Sequence, residues 1–283
     1  MTHRLAVLGA GVMGTGIAAL AVGSGLAVTL IDLSEQILDR ARAQVTRQLR
    51  LARLIGAVPA GRRPGELTTT TDLSRVAEAT AVVESVTERA DVKASVLAAV
   101  STMVGPGTVL ISNTSAIPID ELARAIARPG DLLGVHFMNP AYHIATVEVV
   151  RGPRTSDAAL AAGLSVVAAL GREPIVVLDG PGFVINRVLQ RMINESARIV
   201  AAGISSAEAV DALFTGCLGH RSGPLATADL IGLDSVVDTL TVLLERTGDA
   251  GYAPCDLLLA KVRQGELGRK SGRGFFDYPD PLG

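Results

Sequence analysis

Aromatic residues are scarce in this sequence, which has no tryptophan and only 3% aromatic residues among its 283. Hydrophobic residues still make up 48%, so alanine, valine and leucine must fill the core. Only two cysteines are present, Cys217 and Cys255, which excludes a disulfide framework and is typical of a reducing cytoplasm. Neither sign of charge dominates, because 26 basic residues stand against 28 acidic ones. This balance argues against nucleic acid or an anionic membrane as a partner.

Charged residues are also missing between Leu5 and Ile31, and this uncharged stretch is long enough for a signal sequence or a membrane span. Six glycines interrupt it and Asp32 follows directly, which makes a poor span. A buried strand, a glycine turn, a helix and a second strand explain the same residues better. We therefore expect a cytoplasmic protein that is not embedded in a membrane.

Short apolar segments alternate with helical patterns along the first two thirds of the chain. Ser34 is placed to cap a long amphipathic helix, and the strand-like segments are RLAVLG, LAVTLID, AVVESV, TVLISN, LLGVHF, TVEVV and PIVVL. Such alternation predicts an α/β fold with a parallel sheet. From Val184 to Lys261 the pattern is helical throughout. We expect a Rossmann-type parallel-sheet domain over residues 1–181 and an all-α domain over residues 182–283.

A G-x-G-x-x-G motif, Gly9, Gly11 and Gly14, lies between the first strand and the first helix. The first glycine permits a tight turn, the second lets a pyrophosphate approach the backbone, and the third lets the helix pack on the strand. The helix N-terminus then attracts the phosphates. Asp32 ends the second strand, where a carboxylate accepts hydrogen bonds from ribose hydroxyls and repels the extra phosphate of NADP. The motif therefore predicts an NAD site.

A histidine and a glutamate lie in the otherwise apolar stretch HFMNPAYHIATVEVV, residues 136–150. His136 follows a strand, at the sheet edge where such folds bind substrate, and an imidazole can accept a proton from an alcohol near neutral pH. Glu148 is the candidate carboxylate that orients the imidazole. A structural histidine is the alternative from these residues alone. Together with a dinucleotide site, the pair predicts an alcohol dehydrogenase that needs no metal.

Seven segments occur in order over nearly the whole chain: GAGVMGTGIA, SNTSAI, HFMNP, VEVVRG, GFVINR, GPLATADLIGLD and LGRKSGRGFFDY. Together they resemble the 3-hydroxyacyl-CoA dehydrogenase family, especially the short bacterial 3-hydroxybutyryl-CoA dehydrogenases. The resemblance implies hydride transfer between NAD and a 3-hydroxyacyl thioester of coenzyme A. It also implies a helical C-terminal domain that forms a homodimer interface and closes over the substrate.

The resemblance also implies roles for individual residues. His136 matches the family's catalytic base and Glu148 its partner carboxylate. Ser115 and Asn186 match residues that hydrogen-bond the substrate oxygen or position the reactants. On the cofactor side, Asp32 matches the ribose-binding aspartate, and the other positions that match residues of the NAD site are Glu88, Lys93, Ser115 and Asn139.

The chain departs from the family pattern after its Asn-Pro pair. The usual Pro-Val-Met-Lys is replaced by Tyr142, His143, Ile144 and Ala145. A lysine near the substrate entrance is thereby lost, and a phenol and an imidazole are gained. His143 either lines a more polar pocket or is an ordinary loop residue.

A second departure concerns the long helix after Asp32. The serine and lysine with which relatives contact coenzyme A are matched here by Gln48 and Ile55, although Arg47, Arg50 and Arg53 provide a basic face nearby. The loop that follows the helix also looks shorter than in most relatives.

These departures leave the acyl carrier open. Coenzyme A is the family's usual carrier, whereas relatives in polyketide pathways oxidise a glyceryl group on an acyl carrier protein towards hydroxymalonyl and methoxymalonyl extender units. The tyrosine after Asn-Pro also resembles L-gulonate 3-dehydrogenase and lambda-crystallin, although the GLD and LGRKSGRGFFDY segments favour the hydroxyacyl-CoA enzymes. A non-enzymatic NAD-binding protein would not need the set formed by Ser115, His136, Glu148 and Asn186.

Overall fold

The computed structural model describes residues 3–58 and 61–279. The chain forms two compact units that divide between Gly180 and Pro181. The first unit is a sheet flanked by helices and the second is helical. The expected fold class, a Rossmann-type α/β domain followed by an all-α domain, is thereby confirmed.

Eight strands form one sheet in the first unit, in the order β3-β2-β1-β4-β5-β6-β7-β8. Their bounds are β1 Arg4–Leu8, β2 Ala27–Ile31, β3 Leu67–Thr70, β4 Ala81–Glu84, β5 Val109–Ser112, β6 Leu132–His136, β7 Thr146–Arg151 and β8 Glu173–Leu178. Strands β4, β5 and β6 are buried at every position, which explains why their sequences are nearly continuous apolar runs.

Two features of the sheet differ from the sequence-based expectation. Strand β7 runs antiparallel to β6, whereas every other neighbouring pair is parallel. Strand β3, with the sequence LTTT, was not predicted, because it is a half-exposed strand without an apolar run. The antiparallel pair places His136, the last residue of β6, directly opposite Glu148 of β7.

Helices of the first unit connect the strands. Their bounds are α1 Val12–Gly23, α2 Glu35–Leu54, α3 Ala90–Met103, α4 Ile119–Ala123 and α5 Asp157–Ala169. Helix α1 is buried from Gly14 to Gly23, which accounts for its lack of charge. Ser34 occupies the N-cap position of α2 as predicted, but its side chain makes no capping hydrogen bond. Among the described residues, no helix is both long and apolar enough to cross a membrane.

The described part of the second unit contains two short 3-10 helices and five α-helices, which are α6 Ile185–Ala201, α7 Ala207–Leu218, α8 Pro224–Ile231, α9 Leu233–Thr247 and α10 Asp256–Arg263. Leucines, valines and alanines from all five helices form its core. Asp229 of α8 is 1% exposed and binds the segment that follows α10. Its carboxylate accepts hydrogen bonds from the backbone N–H groups of Phe275 and Phe276 and from the hydroxyl of Tyr278.

Candidate active site

The glycine motif makes a tight connection between β1 and α1. Gly9 has φ of +92°, and a side chain there would come within 2.5 Å of the carbonyl oxygen of Ser85. A Cβ atom at Gly14 would collide with the carbonyl oxygen of Gly9, whereas one at Gly11 would meet no atom within 4 Å. Gly9 and Gly14 are therefore required by the turn itself, and Gly11 leaves open space in front of the N-terminus of α1.

Asp32 is held at the end of β2 by two backbone donors. One carboxylate oxygen accepts a hydrogen bond of 2.7 Å from Ala10 N, and the other accepts one of 2.7 Å from Leu33 N. A carboxylate fixed in this way presents a negative charge beside the glycine turn. Such a charge suits ribose hydroxyls and disfavours a phosphate group at the same place.

A cavity of about 690 Å³ extends along the carboxyl ends of the strands in the first unit. Its lining includes six predicted cofactor residues, Gly9, Gly11, Asp32, Glu88, Lys93 and Ser115. An extended dinucleotide fits this cavity for three reasons, which are the open space at Gly11, the oriented carboxylate of Asp32 and the N-terminus of the buried helix α1. Two predicted cofactor residues are absent from the lining of this cavity. Gly14 is buried in α1, and Asn139 is exposed in the loop after β6.

A cluster of two carboxylates and one ammonium reaches the wall of this cavity through Glu88 and Lys93. Lys93 is 1% exposed and its Nζ lies 2.7 Å from Glu84 Oε1 and 3.1 Å from Glu88 Oε2. Glu84 is 0% exposed, and its second oxygen accepts a hydrogen bond of 2.6 Å from the hydroxyl of Ser112. Glu84 is not among the predicted site residues, although a glutamate inside the apolar segment AVVESV is the same kind of pattern that marked Glu148.

Glu88 extends this cluster to the loop after β5. Its Oε1 accepts hydrogen bonds from the hydroxyl of Thr114 at 2.6 Å and from Ser115 N at 2.7 Å. Asn113 belongs to the same loop, and its Oδ1 accepts a hydrogen bond of 3.0 Å from Phe137 N. These bonds connect the end of β5 to the residue that follows His136, and Asn113 was also missed by the sequence analysis.

His136 and Glu148 form a buried pair across the antiparallel strands. They are opposite each other in the register of β6 and β7, and His136 Nδ1 lies 2.7 Å from Glu148 Oε2. Both residues are buried, with exposures of 4% and 6%. A neutral imidazole that donates from Nδ1 carries its basic lone pair on Nε2. The pair can therefore accept a proton at Nε2 while the carboxylate stabilises the resulting imidazolium.

The two remaining predicted residues lie in different units. Ser115 is half-buried in the loop after β5 and lines the cavity. Asn186 is in the first turn of α6 in the second unit and is 8% exposed. A residue near a helix start beside a glycine turn was the simpler interpretation of Asn186, and the same position is compatible with a polar contact to a ligand.

The loop between His136 and Glu148 is held by a buried arginine. Arg172 is 7% exposed, and its guanidinium donates to the carbonyls of Ala57 at 2.8 Å, Ile144 at 3.2 Å and Tyr142 at 3.4 Å. Burial lowers the pKa of Arg172. Tyr142 is half-buried and His143 is exposed. The segment in which this chain departs from the family pattern is thus fixed by its main chain, while His143 projects to solvent.

Comparisons with known proteins agree with this architecture. The family model for the 3-hydroxyacyl-CoA dehydrogenase NAD binding domain matches residues 4–180, and the model for the C-terminal domain matches residues 182–278. A probable 3-hydroxybutyryl-CoA dehydrogenase of Deinococcus radiodurans is 39% identical over 97% of this chain and 100% of its own length.

A second relative, a probable 3-hydroxybutyryl-CoA dehydrogenase of Bacillus subtilis, is 36% identical over 98% of each chain. The crystal structure of FadB2 from Mycobacterium tuberculosis superposes with a TM-score of 0.92 at 36% identity, and the match covers 98% of this chain and 99% of the other.

Proposed function

Since this chain belongs to the 3-hydroxyacyl-CoA dehydrogenase family and is an NAD-dependent oxidoreductase that acts on a CH–OH group, we propose that it interconverts a short 3-hydroxyacyl thioester of coenzyme A and its 3-keto form. The observation that carries this proposal is the buried His136–Glu148 pair, 2.7 Å apart, in the same unit as the NAD cavity. Relatives named 3-hydroxybutyryl-CoA dehydrogenase support a short acyl chain.

In the proposed mechanism, His136 accepts the hydroxyl proton of the substrate at Nε2. Glu148 keeps the imidazole in the required tautomer and stabilises its charged form. Bound NAD supplies the hydride acceptor, or the hydride donor in the reverse direction. Ser115 helps to hold the substrate oxygen, and such orientation contributes a large share of the rate. The resemblance implies a similar role for Asn186.

The cofactor is assigned to the residues that line the cavity. The N-terminus of α1 beside Gly11 holds the pyrophosphate, and Asp32 accepts hydrogen bonds from the adenosine ribose. Glu88, Lys93 and Ser115 lie at the other end of the cavity, where β4 and β5 lead towards His136. Asn139 keeps its predicted cofactor role only as a proposal, because it is exposed in the loop after β6.

The decisive experiment follows NADH absorbance with purified protein and acetoacetyl-CoA. We expect rapid oxidation of NADH by the wild type and almost none by H136Q, while H220Q, a change at an exposed histidine, retains full activity. If NADH binds but acetoacetyl-CoA is inert, carrier-bound glyceryl thioester and then L-gulonate are the next substrates to test. Binding of NADH without turnover of any of these substrates would contradict the proposed activity and support a non-enzymatic NAD-binding protein.

A carrier-protein substrate is the second candidate, and one surface favours it. Residues 40–65 contain seven arginines and no acidic residue, although the whole chain has a net charge of −2. On α2, Arg47, Arg50 and Arg53 are exposed, and Leu54 beside them is 82% exposed. We name Arg47, Arg50, Arg53 and Leu54 the arginine face. Its mixture of positive and apolar groups suits an acidic protein surface better than phosphates alone.

Charge reversal on the arginine face tests whether a carrier protein docks there. For the triple variant R47E/R50E/R53E, we expect the KM of a carrier-bound thioester to rise at least tenfold if a carrier protein docks there. The KM of the same acyl group on N-acetylcysteamine, which has neither protein nor phosphates, should not change. R263E, a change at an exposed arginine of α10, serves as the control. An equal loss with both substrates would contradict docking at this face.

We also propose a homodimer that forms through the second unit, and a cytoplasmic location in keeping with the low cysteine content. Apolar side chains are exposed on its helices, with Val188 at 63%, Leu213 at 58% and Leu218 at 64%. Such exposure is large for a monomer, and a second copy of the chain would cover it. Sedimentation of the wild type should give a dimer, and L213E should shift it towards the monomer.

A further inference from the structure

In the cluster formed by Glu84, Glu88 and Lys93, the ammonium of Lys93 already has three acceptors. Lys93 Nζ contacts Glu84 Oε1 at 2.7 Å, Glu88 Oε2 at 3.1 Å and the carbonyl oxygen of Val86 at 3.2 Å. An ammonium has only three protons to donate. Lys93 therefore cannot donate to a cofactor without giving up one of these partners, and its main role here is to hold two carboxylates together.

The cluster carries a formal charge of −1, because two carboxylates surround one ammonium. Among the described residues that line the cavity, the charged ones are Asp32, Glu88 and Lys93, so no further cation offsets this charge there. Glu84 and Lys93 have side-chain exposures of 0% and 1% and offset each other, so the net charge lies on Glu88, whose side chain is 40% exposed. Water and salt screen a charge at that exposure in part, which corresponds to an effective dielectric constant of about 20 or more. The cluster therefore gives this end of the cavity a negative potential.

The position of the cluster assigns that potential to the nicotinamide end of the cofactor. Asp32 follows β2, whereas Glu88 and Lys93 follow β4, and Ser115 follows β5. The order β2-β1-β4-β5-β6 thus takes the cavity from the ribose-binding aspartate towards His136 at the end of β6. Hydride transfer requires the nicotinamide ring to approach the substrate beside His136, so the ring lies on the cluster side of the cavity.

We propose that this cluster makes the site discriminate between the two redox forms of the cofactor, because it raises the affinity for NAD⁺ relative to that for NADH. The nicotinamide ring is cationic when oxidised and neutral when reduced, so a net negative cluster attracts only the oxidised ring. The inference depends on the NAD site described above and goes beyond it. It applies equally to a coenzyme A substrate and to a carrier-protein substrate.

Glu84 is a positioning residue in this arrangement, because it is absent from the cavity lining and acts through other groups. It holds Lys93 through Oε1, and it holds the hydroxyl of Ser112 through Oε2 at 2.6 Å. Its charge is one of the two that make the cluster negative. A neutral amide at either Glu84 or Glu88 keeps the shape of the side chain and removes the net charge.

The test measures the dissociation constants of NAD⁺ and NADH separately, by calorimetry and by NADH fluorescence, without substrate. A unit charge at roughly 8–10 Å and an effective dielectric constant of about 20–40 corresponds to an effect of about 5- to 30-fold. For E88Q, we expect the affinity for NAD⁺ to fall by about that factor more than the affinity for NADH. E84Q should shift the ratio in the same direction.

Controls distinguish the possible outcomes. Glu88 is 40% exposed, so E88Q should fold even if the variant at the fully buried Glu84 does not. In that case the ratio of NAD⁺ to NADH affinity in E88Q tests the proposal by itself. E78Q removes a half-exposed carboxylate that pairs with Arg75 and should leave both constants unchanged. Equal weakening of NAD⁺ and NADH in E88Q would overturn the proposed preference. Failure of the wild type to bind either form would instead overturn the NAD site itself.

Discussion

The charged side chains buried at the candidate site are each paired with a partner, and the His136–Glu148 pair is the clearest case. A buried carboxylate destabilises the fold unless hydrogen bonds or an opposite charge compensate it. The register of β6 and β7 supplies that partner directly. The same reasoning applies to Glu84, which is compensated by Lys93 and Ser112.

Replacement of His136 gives the most direct test at the scale of single residues. H136Q should lower kcat by about 10²- to 10⁴-fold, because general base catalysis contributes that much, while the dissociation constant of NADH stays within twofold. Stopped-flow kinetics and NADH fluorescence measure the two quantities. Normal turnover by H136Q would exclude His136 as the base.

The sequence revealed some site residues and hid others for a physical reason. His136 and Glu148 were predicted because both are polar residues in one short apolar stretch. Asn113 was not, because its partner Phe137 lies beyond the next strand. Glu84 was not, because its partners Lys93 and Ser112 lie on other elements, α3 and β5, and no polar residue close to it in the sequence indicated a site. Contacts of this kind depend on which strands are neighbours, and that order is not apparent from local spacing.

At the scale of elements, the turn between β1 and α1 separates structural glycines from binding glycines. A Cβ atom at Gly14 would collide with Gly9 O, whereas a Cβ atom at Gly11 finds open space. G14A should therefore destabilise the protein, and G11A should fold normally but bind NADH at least tenfold more weakly, because its methyl group occupies space meant for the pyrophosphate. Thermal melting and NADH titration give the two results, and G105A, at another open position, is the control. Normal NADH affinity in G11A would contradict the proposed phosphate position.

The loop from Pro140 to Ala145 offers a second test at this scale. Arg172 donates hydrogen bonds to the carbonyls of Tyr142 and Ile144, and R172M removes them while keeping an apolar side chain. We expect the KM for the thioester to rise roughly tenfold, with the affinity for NADH nearly unchanged, because the loop borders His136 rather than the glycine turn. R124M removes an arginine whose side chain is 69% exposed and should have no effect. Parallel losses of substrate and NADH affinity would indicate a general defect of folding.

Secondary structure was predictable for the buried strands and less so at the sheet edge. Seven strands were expected from apolar runs, and each is present. The threonines of β3 gave no such pattern, and the direction of β7 depends on the hairpin-like path of the loop after His136. Local sequence does not encode either feature strongly, since both are set by the neighbouring strand.

At the scale of the whole molecule, Asp229 links distant parts of the second unit. D229A leaves the backbone N–H groups of Phe275 and Phe276 and the hydroxyl of Tyr278 without their acceptor, and should lower the free energy of unfolding by about 2–4 kcal/mol. Denaturant melts measure this loss, with D238A at an exposed site of α9 as the control. A loss no larger than that of D238A would mean that the C-terminal segment is held by its apolar contacts.

The decrease in the free energy of unfolding caused by D229A should also depend on pH. Burial is the largest effect on this carboxyl group and raises the pKa of Asp229 above its ordinary 3.8. The folded protein therefore binds this proton more tightly than the unfolded chain, so the stabilisation that comes with the bound proton is fully present below the unfolded pKa. It is lost as the pH rises through the folded pKa. The difference between wild type and D229A should accordingly be larger in acid than at neutral pH.

The direct pairing of His136 with Glu148 across two adjacent strands also has an evolutionary consequence. The ladder between β6 and β7 fixes His136 and Glu148, to which we assign the chemistry, while the loop from Pro140 to Ala145 is held separately by Arg172. We therefore expect this loop to vary in sequence among descendants of one ancestral enzyme without displacing the pair.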